Sequence, residues 1–342
     1  MVKGLHLGRK AQFALTYGLL GRLGPRWTLR CYWSFAEHRK ALAQVLALRP
    51  DLIHAHDWDA LPIAAVAAER LAIPFVYNAH EYAIDTFADR RLWQITMSAA
   101  IGHIEQRFAP SAALLITVSD YLADAMQSRL GTPAKPLVVR NIPEFVPIAS
   151  PVKAADCILL HYHGVLSAGR GIETAIRALR HLPSEYRLRL VGPWTQTVFE
   201  KQMYSLIEEL ELSERVDIRA AVQATQLPSI ASDADFGLVL LDGKTVHDRG
   251  ALPNKFFEYL HAGLFIVASG SEEMKNLLQS YDCGAFIHDR SAETLAHLLL
   301  YVSQEKLRAG QENARNAALA LSSMQEGRQL ETSYRAILTQ EP

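Results

Sequence analysis

The segment from Gly250 to Gly263, GALPNKFFEYLHAG, combines residue types that can bind an anion. Pro253 suits the first position of a helix, where its missing N–H costs nothing. The backbone N–H groups of Asn254, Lys255 and Phe256 would then be free at the positive end of the helix dipole. The segment therefore predicts a helix start that receives negative charge.

Two side chains extend this prediction. Lys255 adds a mobile cation at the same helix end, and Glu258, one turn further, can accept hydrogen bonds from two neighbouring sugar hydroxyls. Gly263 is typical of the residue that ends a helix. The alternative is an ordinary helix whose aromatic residues pack into a core.

A second candidate segment for anion binding is the loop from Gly164 to Gly171, which follows one predicted strand and precedes a helix. Backbone amides at such a position commonly surround phosphates. Gly164, Gly169 and Gly171 let the chain come close to a ligand, and Arg170 offers a planar guanidinium that matches phosphate oxygens. The alternative is an ordinary loop with a surface arginine. Together the two segments favour a nucleotide diphosphate as ligand.

Strands and helices that alternate along the chain would hold both segments. From Asp51 onward, short apolar segments predict strands, and helical patterns separate them. The predicted strands are DLIHA, PFVYN, ALLITV, PLVVRN, CILLHYHG, RLRLVG, VDIRAAV, DFGLVLL, FIVAS and GAFIH. Such alternation predicts an α/β fold with parallel, doubly wound sheets, which bind ligands at the carboxyl ends of their strands.

The chain length of 342 residues predicts two Rossmann-like domains that face each other across a cleft. The first is expected over residues 1–142 and the second over 156–325, joined by a linker over 143–155 that is rich in proline and small residues. Residues 326–342 predict a C-terminal helix that packs back on the first domain.

The first fifty residues are less regular. They predict helices near 9–21 and 35–48 and a short strand from Trp27 to Trp33. Residues 1–40 carry eight lysines and arginines against one glutamate, interleaved with aromatic residues. This segment would either contact an anionic membrane surface or form a solvated face.

The composition of the chain argues against several classes of protein. A formal net charge of −1 and the lack of a recognition motif argue against nucleic-acid binding. Three scattered cysteines indicate a reducing compartment, so we expect a cytoplasmic protein, with contact at the membrane surface as an extension. The N-terminal segment lacks a signal-peptide cleavage pattern.

The sequence contains no GxGxxG, GxxxxGK[ST] or GxSxG motif. Asp57–Asp59 and Asp233–Asp235 have a spacing that could hold a divalent cation, but the second pair favours a solvated turn. His54 and His56 alternate along a strand, and we expect their rings on opposite faces. We therefore predict no metal site.

With these motifs in place, the chain resembles glycosyltransferases of the GT-B fold and the family 4 type, which use nucleotide sugars and retain the anomeric configuration. The resemblance runs from Asp51 to the C-terminus. It rests on DLIHAHDWDALPIA, VYNAHEY, LLITVSDYLADAM, VVRNIP, HGVLSAGRGIETAIRAL, LVG, LPNKFFEYLHAGLFIVAS and GAFIHD.

The resemblance implies a hexose donor, UDP- or GDP-linked, in the second domain, an acceptor in the first, and no cofactor or metal. Transfer to a glycan or lipid-linked saccharide would serve polysaccharide biosynthesis. Arg170, His80 and Glu258 are the implied catalytic residues. The implied donor-binding residues are Gly164, Gly169, Gly171, Gly192, Pro253, Asn254, Lys255 and Phe256. Glu81, Asp57 and Asp248 are candidates for acceptor or sugar contacts.

The chain departs from the family pattern at three places. Val165 stands where the family has an arginine, and Arg170 where it has a lysine. Gly250 stands where the family has the first glutamate of an E-x7-E pair. The first strand, glycine-rich loop and first helix need more residues than precede Asp51, which predicts a shortened first domain. A non-catalytic sugar-nucleotide-binding subunit, or an epimerase or hydrolase on the same fold, is the alternative.

Overall fold

The computed structural model describes residues 24–87, 91–144 and 157–339. Contacts divide the chain into two units. The first unit is discontinuous in sequence and comprises Met1–Arg140, Thr245–Gly250 and Gly327–Pro342. The second comprises Asn141–Lys244 and Ala251–Glu326. The predicted helix near 9–21 and most of the predicted linker lie outside the described residues.

Strands and helices alternate as predicted. The strands are β1 Ile53–His56, β2 Phe75–Ala79, β3 Leu114–Thr117, β4 Leu137–Val138, β5 Ile158–His163, β6 Tyr186–Val191, β7 Val216–Arg219, β8 Phe236–Leu240, β9 Phe265–Ser269 and β10 Gly284–Ile287. The helices are α1 Pro25–Ser34, α2 Ala36–Leu48, α3 Asp57–Leu71, α4 Ala99–Phe108, α5 Asp120–Leu130, α6 Ile172–Ala178, α7 Thr197–Glu209, α8 Leu227–Ala231, α9 Val246–Gly250, α10 Asn254–Ala262, α11 Glu272–Tyr281, α12 Ala292–Tyr301, α13 Gln304–Ala320 and α14 Ser323–Thr339.

The first unit contains a parallel sheet in the order β1-β2-β3-β4. β2 is buried along its whole length because helices cover both faces of a parallel sheet. A helical turn at Arg91–Trp93 and a π-helical turn at Gln94–Ser98 lead into α4. Ser119 begins α5 as predicted: its hydroxyl oxygen accepts from the Leu122 N–H at 3.3 Å.

The predicted strand from Trp27 to Trp33 is wrong, because these residues belong to α1. Pro25 occupies the first turn of this helix, where proline is well tolerated. Thr28, Cys31 and Tyr32 are buried at helical spacing. Of the aromatic residues in this helix, Tyr32 is buried and Trp27 is exposed. None of the described helices is long and apolar enough to span a membrane.

The second unit has a six-stranded parallel sheet in the order β7-β6-β5-β8-β9-β10. Numbered from its own first strand, this is the order 3-2-1-4-5-6 of a doubly wound Rossmann sheet. The order reverses between β5 and β8, and such sheets bind ligands just outside the strands at that point. The two predicted anion-binding segments follow these two strands in sequence.

Candidate functional site

The loop after β5 and the start of α10 lie together at the point where the strand order reverses. Gly164 directly follows β5 and has φ +116°, and a Cβ atom built on it would lie 3.2 Å from the Lys255 Nζ atom. The structure thus brings together the two segments that the sequence marked separately. Lys255 extends over the glycine loop.

Gly192, the residue after β6, supports this loop from the neighbouring strand. Its φ is +150°, and a Cβ atom at this position would lie 1.9 Å from the Gly164 carbonyl oxygen. The Gly164 N–H donates to the Val191 carbonyl at 2.9 Å. Only glycine fits at position 192, because any side chain there would displace the loop.

Arg170 is exposed on the same loop, between two glycines with left-handed backbone, Gly169 and Gly171. Arg290, which the sequence did not mark, holds the loop from the other side. Its Nη1 donates to the Gly169 carbonyl at 2.9 Å and to the Leu240 carbonyl at 3.2 Å. The Gly169 carbonyl is therefore hydrogen-bonded to Arg290, and the Arg170 side chain is exposed to solvent.

Lys255 is half-buried, with its Nζ atom 3.7 Å from the centre of the Tyr162 ring. Burial, with the charge of Arg170 acting in the same direction, lowers its pKa to about 7, and Glu258 opposes the shift. An ammonium group over an aromatic face gains some cation–π stabilisation. The low pKa nevertheless indicates a cation whose charge is poorly compensated and which an anionic ligand would stabilise.

The start of α10 differs from the prediction in two details. Asn254 is the first helical residue and Pro253 precedes the helix with an extended backbone, so Pro253 is not in the first helical position. The Phe256 N–H donates to the Pro253 carbonyl at 2.9 Å, so Phe256 is not a free donor. The predicted backbone donors reduce to Asn254 and Lys255. Gly263 ends the helix with φ +70°, as predicted.

Glu258 lies one turn along α10 and is buried, with 7% of its surface exposed. Its Oε2 atom is 2.6 Å from the His163 Nε2 atom on β5. The Tyr259 hydroxyl oxygen accepts from the His163 N–H at 3.1 Å. His163 was not predicted from the sequence, although a histidine directly before the glycine of a ligand-binding loop was a signal that could have marked it.

His80 and Asp57 belong to the first unit, where they meet at the carboxyl ends of β1 and β2. The His80 N–H donates to the Asp57 Oδ1 atom at 3.1 Å, and the His80 Nε2 atom lies 2.8 Å from the His56 Nδ1 atom. His54 and His56 stack with ring centres 4.2 Å apart. The expectation that these two rings lie on opposite faces is wrong, since residues two apart in a strand share a face.

His54 is the inner member of this row of imidazoles. The Tyr334 hydroxyl on α14 hydrogen-bonds its Nδ1 atom. Burial lowers the pKa of His54 to about 4, and the charges of His56 and His80 act in the same direction. His54 is therefore neutral at physiological pH, and it supports the ring of His56 from behind.

The remaining predicted residues of the first unit are Glu81 and Asp248. Glu81 is exposed and accepts from the Thr86 hydroxyl at 3.2 Å. Asp248 lies in α9, where its N–H donates to the Thr245 hydroxyl oxygen at 2.9 Å. Neither carboxylate has a partner that assigns it a role, and both stay candidates for acceptor or sugar contacts.

Asp233 lies in a turn as predicted and is partly exposed, and both members of the Asp233–Asp235 pair also make structural contacts. Asp233 forms a two-pronged ion pair with Arg189, with N–O distances of 2.7 and 2.8 Å. The Asp235 carboxylate accepts from the Leu159 N–H at 2.9 Å. Among the described residues, no three or more of the histidine, cysteine, aspartate and glutamate side chains are grouped to hold a metal ion.

Gly250, the last residue of α9, is buried against α5. A Cβ atom at this position would lie 2.4 Å from the Leu122 side chain and 3.2 Å from the Ser119 hydroxyl. Leu122 is 1% exposed and cannot move aside cheaply. The family's glutamate at this position has no room in this chain.

We expect Gly250→Ala to lower the stability of the protein by about 1–3 kcal/mol, the usual cost of overpacking. Gly102→Ala in the same unit is the control, because its Cβ would lie 3.9 Å from the Ile84 Cγ2 atom, an ordinary van der Waals distance. That substitution inside α4 should be neutral or stabilising by about 0.5–1 kcal/mol. Thermal or urea unfolding measures both, and equal stability of the two variants would contradict the packing described for Gly250.

Two family models match the sequence and together cover most of the chain. The family described as Glycosyltransferase Family 4 matches residues 7–143, and the family described as Glycosyl transferases group 1 matches residues 149–318. No curated protein matches the chain by sequence.

Solved structures share the fold at low sequence identity. HepE of Anabaena, in complex with UDP and glucose, has a TM-score of 0.73 and 18% identity, covering 86% of this chain and 81% of HepE. A glycosyltransferase from Rickettsia africae has a TM-score of 0.72 and 13% identity, covering 89% and 81%. Sucrose-phosphate synthase from Thermosynechococcus elongatus has a TM-score of 0.67 and 17% identity, covering 84% and 73%.

Proposed function

The chain is a GT-B glycosyltransferase of the family 4 type, and we propose that it transfers a hexose from a UDP- or GDP-sugar to a glycan or lipid-linked saccharide with retention of configuration. The observation that carries the proposal is the position of Lys255 over the Gly164 loop, beside the Arg170 segment and one turn from Glu258. These groups offer two cations for a diphosphate and a carboxylate for a ribose.

In the proposed reaction the bond between the sugar C1 atom and the β-phosphate oxygen breaks. The nucleoside diphosphate leaves with the bonding electrons, the acceptor hydroxyl oxygen bonds to C1, and the hydroxyl proton passes to the departing β-phosphate oxygen. Arg170 and Lys255 would stabilise the negative charge that develops on the β-phosphate. Because side-chain cations supply this stabilisation, we propose that no metal and no cofactor is needed.

We assign His80 to the transferred sugar and Asp57, Glu81 and Asp248 to sugar or acceptor contacts. The support for His80 is its tight environment, with its N–H held by Asp57 and its ring held by His56. Fixed side chains of this kind suit the orientation of a sugar hydroxyl. We propose a polysaccharide or lipid-linked acceptor because the two family models match this chain.

The test is to incubate the protein with UDP-glucose and GDP-mannose, with and without a panel of saccharide acceptors, and to follow nucleotide release. Acceptor-dependent release is expected, and EDTA should leave its rate unchanged. Release without acceptor would indicate a hydrolase or epimerase. Stabilisation by the nucleotide with no release from any donor would indicate the second candidate, a non-catalytic binding subunit, which the closed position at Gly250 favours.

We also propose a peripheral membrane contact through the basic aromatic segment 1–40. In its described part, Trp27 is 40% exposed and the Arg30 guanidinium lies 5.1 Å from its ring centre. A cavity of about 700 Å³ is lined by Arg26, Trp27, Leu29, Arg30, Trp33 and Ser34. Sedimentation with vesicles that contain phosphatidylglycerol, but not with phosphatidylcholine vesicles, is the expected result. A protein that stays in the supernatant with both kinds of vesicle would contradict this contact.

A further inference from the structure

A row of three buried polar side chains runs inward from the proposed ribose carboxylate. The Glu258 Oε2 atom is 2.6 Å from His163 Nε2, and His163 Nδ1 is 3.1 Å from His161 Nε2. His161 and His163 are 0% and 1% exposed, and Glu258 is 7% exposed. The pairing of β5 with its neighbouring strands uses backbone groups and needs none of these side-chain contacts, which points to a role outside packing.

The chemistry of the three groups determines where the protons lie. An ionised carboxylate only accepts hydrogen bonds, so His163 must carry a proton on Nε2. A neutral His163 then presents its Nδ1 lone pair to His161, whose Nε2 must donate. The His161 Nδ1 atom is buried without a hydrogen-bond partner in the described part of the chain, and in this arrangement it is a bare lone pair.

The opposite arrangement is less favourable. A charged His163 would donate through both nitrogens, and His161 would have to turn its N–H toward the buried position that has no partner. Burial lowers the pKa of His161 well below its usual value, and the charges of His163, Arg189 and Arg219 add to this effect. Burial also lowers the pKa of His163, against the opposing effect of Glu258 and together with Lys255. Both rings are therefore neutral.

We propose that His163 is a positioning residue that, with His161 behind it, holds the Glu258 carboxylate in the one orientation that binds the ribose hydroxyls of the donor. This inference rests on the proposed function. The Glu258 Oε2 atom accepts a hydrogen bond from the buried His163 ring, and the Glu258 side chain keeps 10% of its surface exposed. Any rotation of Glu258 would leave the buried His163 N–H unpaired, which is costly. The carboxylate is thus oriented before the ligand arrives.

Tyr259 packs beside the two histidine rings and hydrogen-bonds the backbone of β5. The His163 ring centre lies 4.7 Å from that of Tyr259, in an edge-to-face arrangement, and the His161 ring lies 5.9 Å from Tyr259. Tyr259 is fully buried and its hydroxyl oxygen accepts from the His163 backbone. Tyr259 therefore fixes the backbone of β5 without touching the carboxylate, which makes it a suitable control.

The test compares binding of UDP with binding of 2′,3′-dideoxy-UDP by calorimetry, or of the guanosine pair if the protein prefers GDP. In the unmodified protein we expect the dideoxy nucleotide to bind about tenfold more weakly or worse, because it leaves Glu258 unpaired. His163→Phe should weaken UDP binding about tenfold while changing dideoxy-UDP binding little, so that the ratio of the two dissociation constants approaches one. His163→Gln, which can still donate to Glu258, should keep most of the ratio.

Tyr259→Phe removes a hydrogen bond from the same core and should leave the ratio unchanged, since a merely structural loss affects both nucleotides alike. If His163→Phe does not fold, His163→Asn replaces it, because asparagine keeps a partner for His161 but does not reach Glu258. A folded His163 variant with the ratio of the unmodified protein overturns the inference. So does a ratio near one in the unmodified protein. Failure of the unmodified protein to bind either nucleotide overturns the proposed function instead.

Discussion

Replacement of Arg170 by alanine is expected to lower kcat by about two or more orders of magnitude, the usual cost of removing one group that stabilises transition-state charge. The guanidinium is exposed on the Gly164 loop, and its charge reaches both Lys255 and Tyr162. Burial lowers the pKa of Lys255 and raises that of Tyr162. The positive charge of Arg170 lowers both pKa values. Arg170 is therefore close to where the diphosphate would bind. Val165 stands where the family has a second cation, which leaves Lys255 as the other cation proposed for the diphosphate.

Two further variants make this test specific. Arg170→Lys restores the residue type that the family has at this position and should keep most of the activity. Arg177→Ala is the matched control, because Arg177 lies on the following helix, is exposed, and pairs with Glu173 four residues earlier. Turnover measured with a donor and acceptor pair that supports activity decides the matter. Unchanged turnover in Arg170→Ala would remove Arg170 from the proposed mechanism.

Lys255 is expected to make donor binding depend on pH. Its pKa is about 7 in the free protein, and a bound diphosphate would raise it. The affinity for the donor is therefore highest below this pKa, where the lysine is protonated. As the pH rises through about 7 the free protein loses the charge, and the dissociation constant increases by up to about tenfold per pH unit until the pKa of the complex is reached. Binding at pH 7 should take up about half a proton.

The measurement is calorimetry with UDP-glucose and GDP-mannose in buffers of different ionisation enthalpy, because the diphosphate of a nucleotide sugar does not itself titrate near neutral pH. Lys255→Met keeps an apolar stem over Tyr162 but removes the charge, and should weaken binding about tenfold or more at pH 6 and abolish the pH dependence. Lys275→Met is the control, since Lys275 also lies over an aromatic ring, Phe286, at 5.9 Å. A flat pH profile in the unmodified protein would contradict the role of Lys255.

Much of the fold was predictable because its signals are local. Most strands of the two sheets are short, largely apolar segments, and helices begin or end at recognisable residues such as Ser119 or Gly263. The two candidate anion-binding segments stand out in the sequence for the same reason. Glycines, a lysine and an arginine in short segments that follow buried strands form a pattern typical of phosphate binding.

The features that escaped prediction depend on residues distant in sequence. The contact between His163 and Glu258 joins positions 95 residues apart. The hydrogen bond from Arg290 to the Gly169 carbonyl joins positions 121 residues apart. The prediction of a strand from Trp27 to Trp33 is wrong because residues 28, 31 and 32 are buried at helical spacing, which depends on what the segment packs against. Leu122 leaves no room for a side chain at position 250, and this packing is likewise not encoded in any local sequence pattern.

The discontinuity of the first unit has a consequence for synthesis on the ribosome. Its sheet is complete by Arg140, but it also includes the segment Thr245–Gly250 and the C-terminal residues from Gly327 onward. Gly250 packs on α5, and Tyr334 hydrogen-bonds to His54. At ordinary translation rates the emerging chain waits roughly 10–40 s between Arg140 and Gly327.

The second unit needs no residue beyond Glu326. It can therefore finish folding before the first, which reverses the usual N-terminal-first order. Until α9 and α14 are synthesised, the nascent first unit exposes the surfaces that they later contact, at Leu122 and at His54. Protection by chaperones is then most important for this unit.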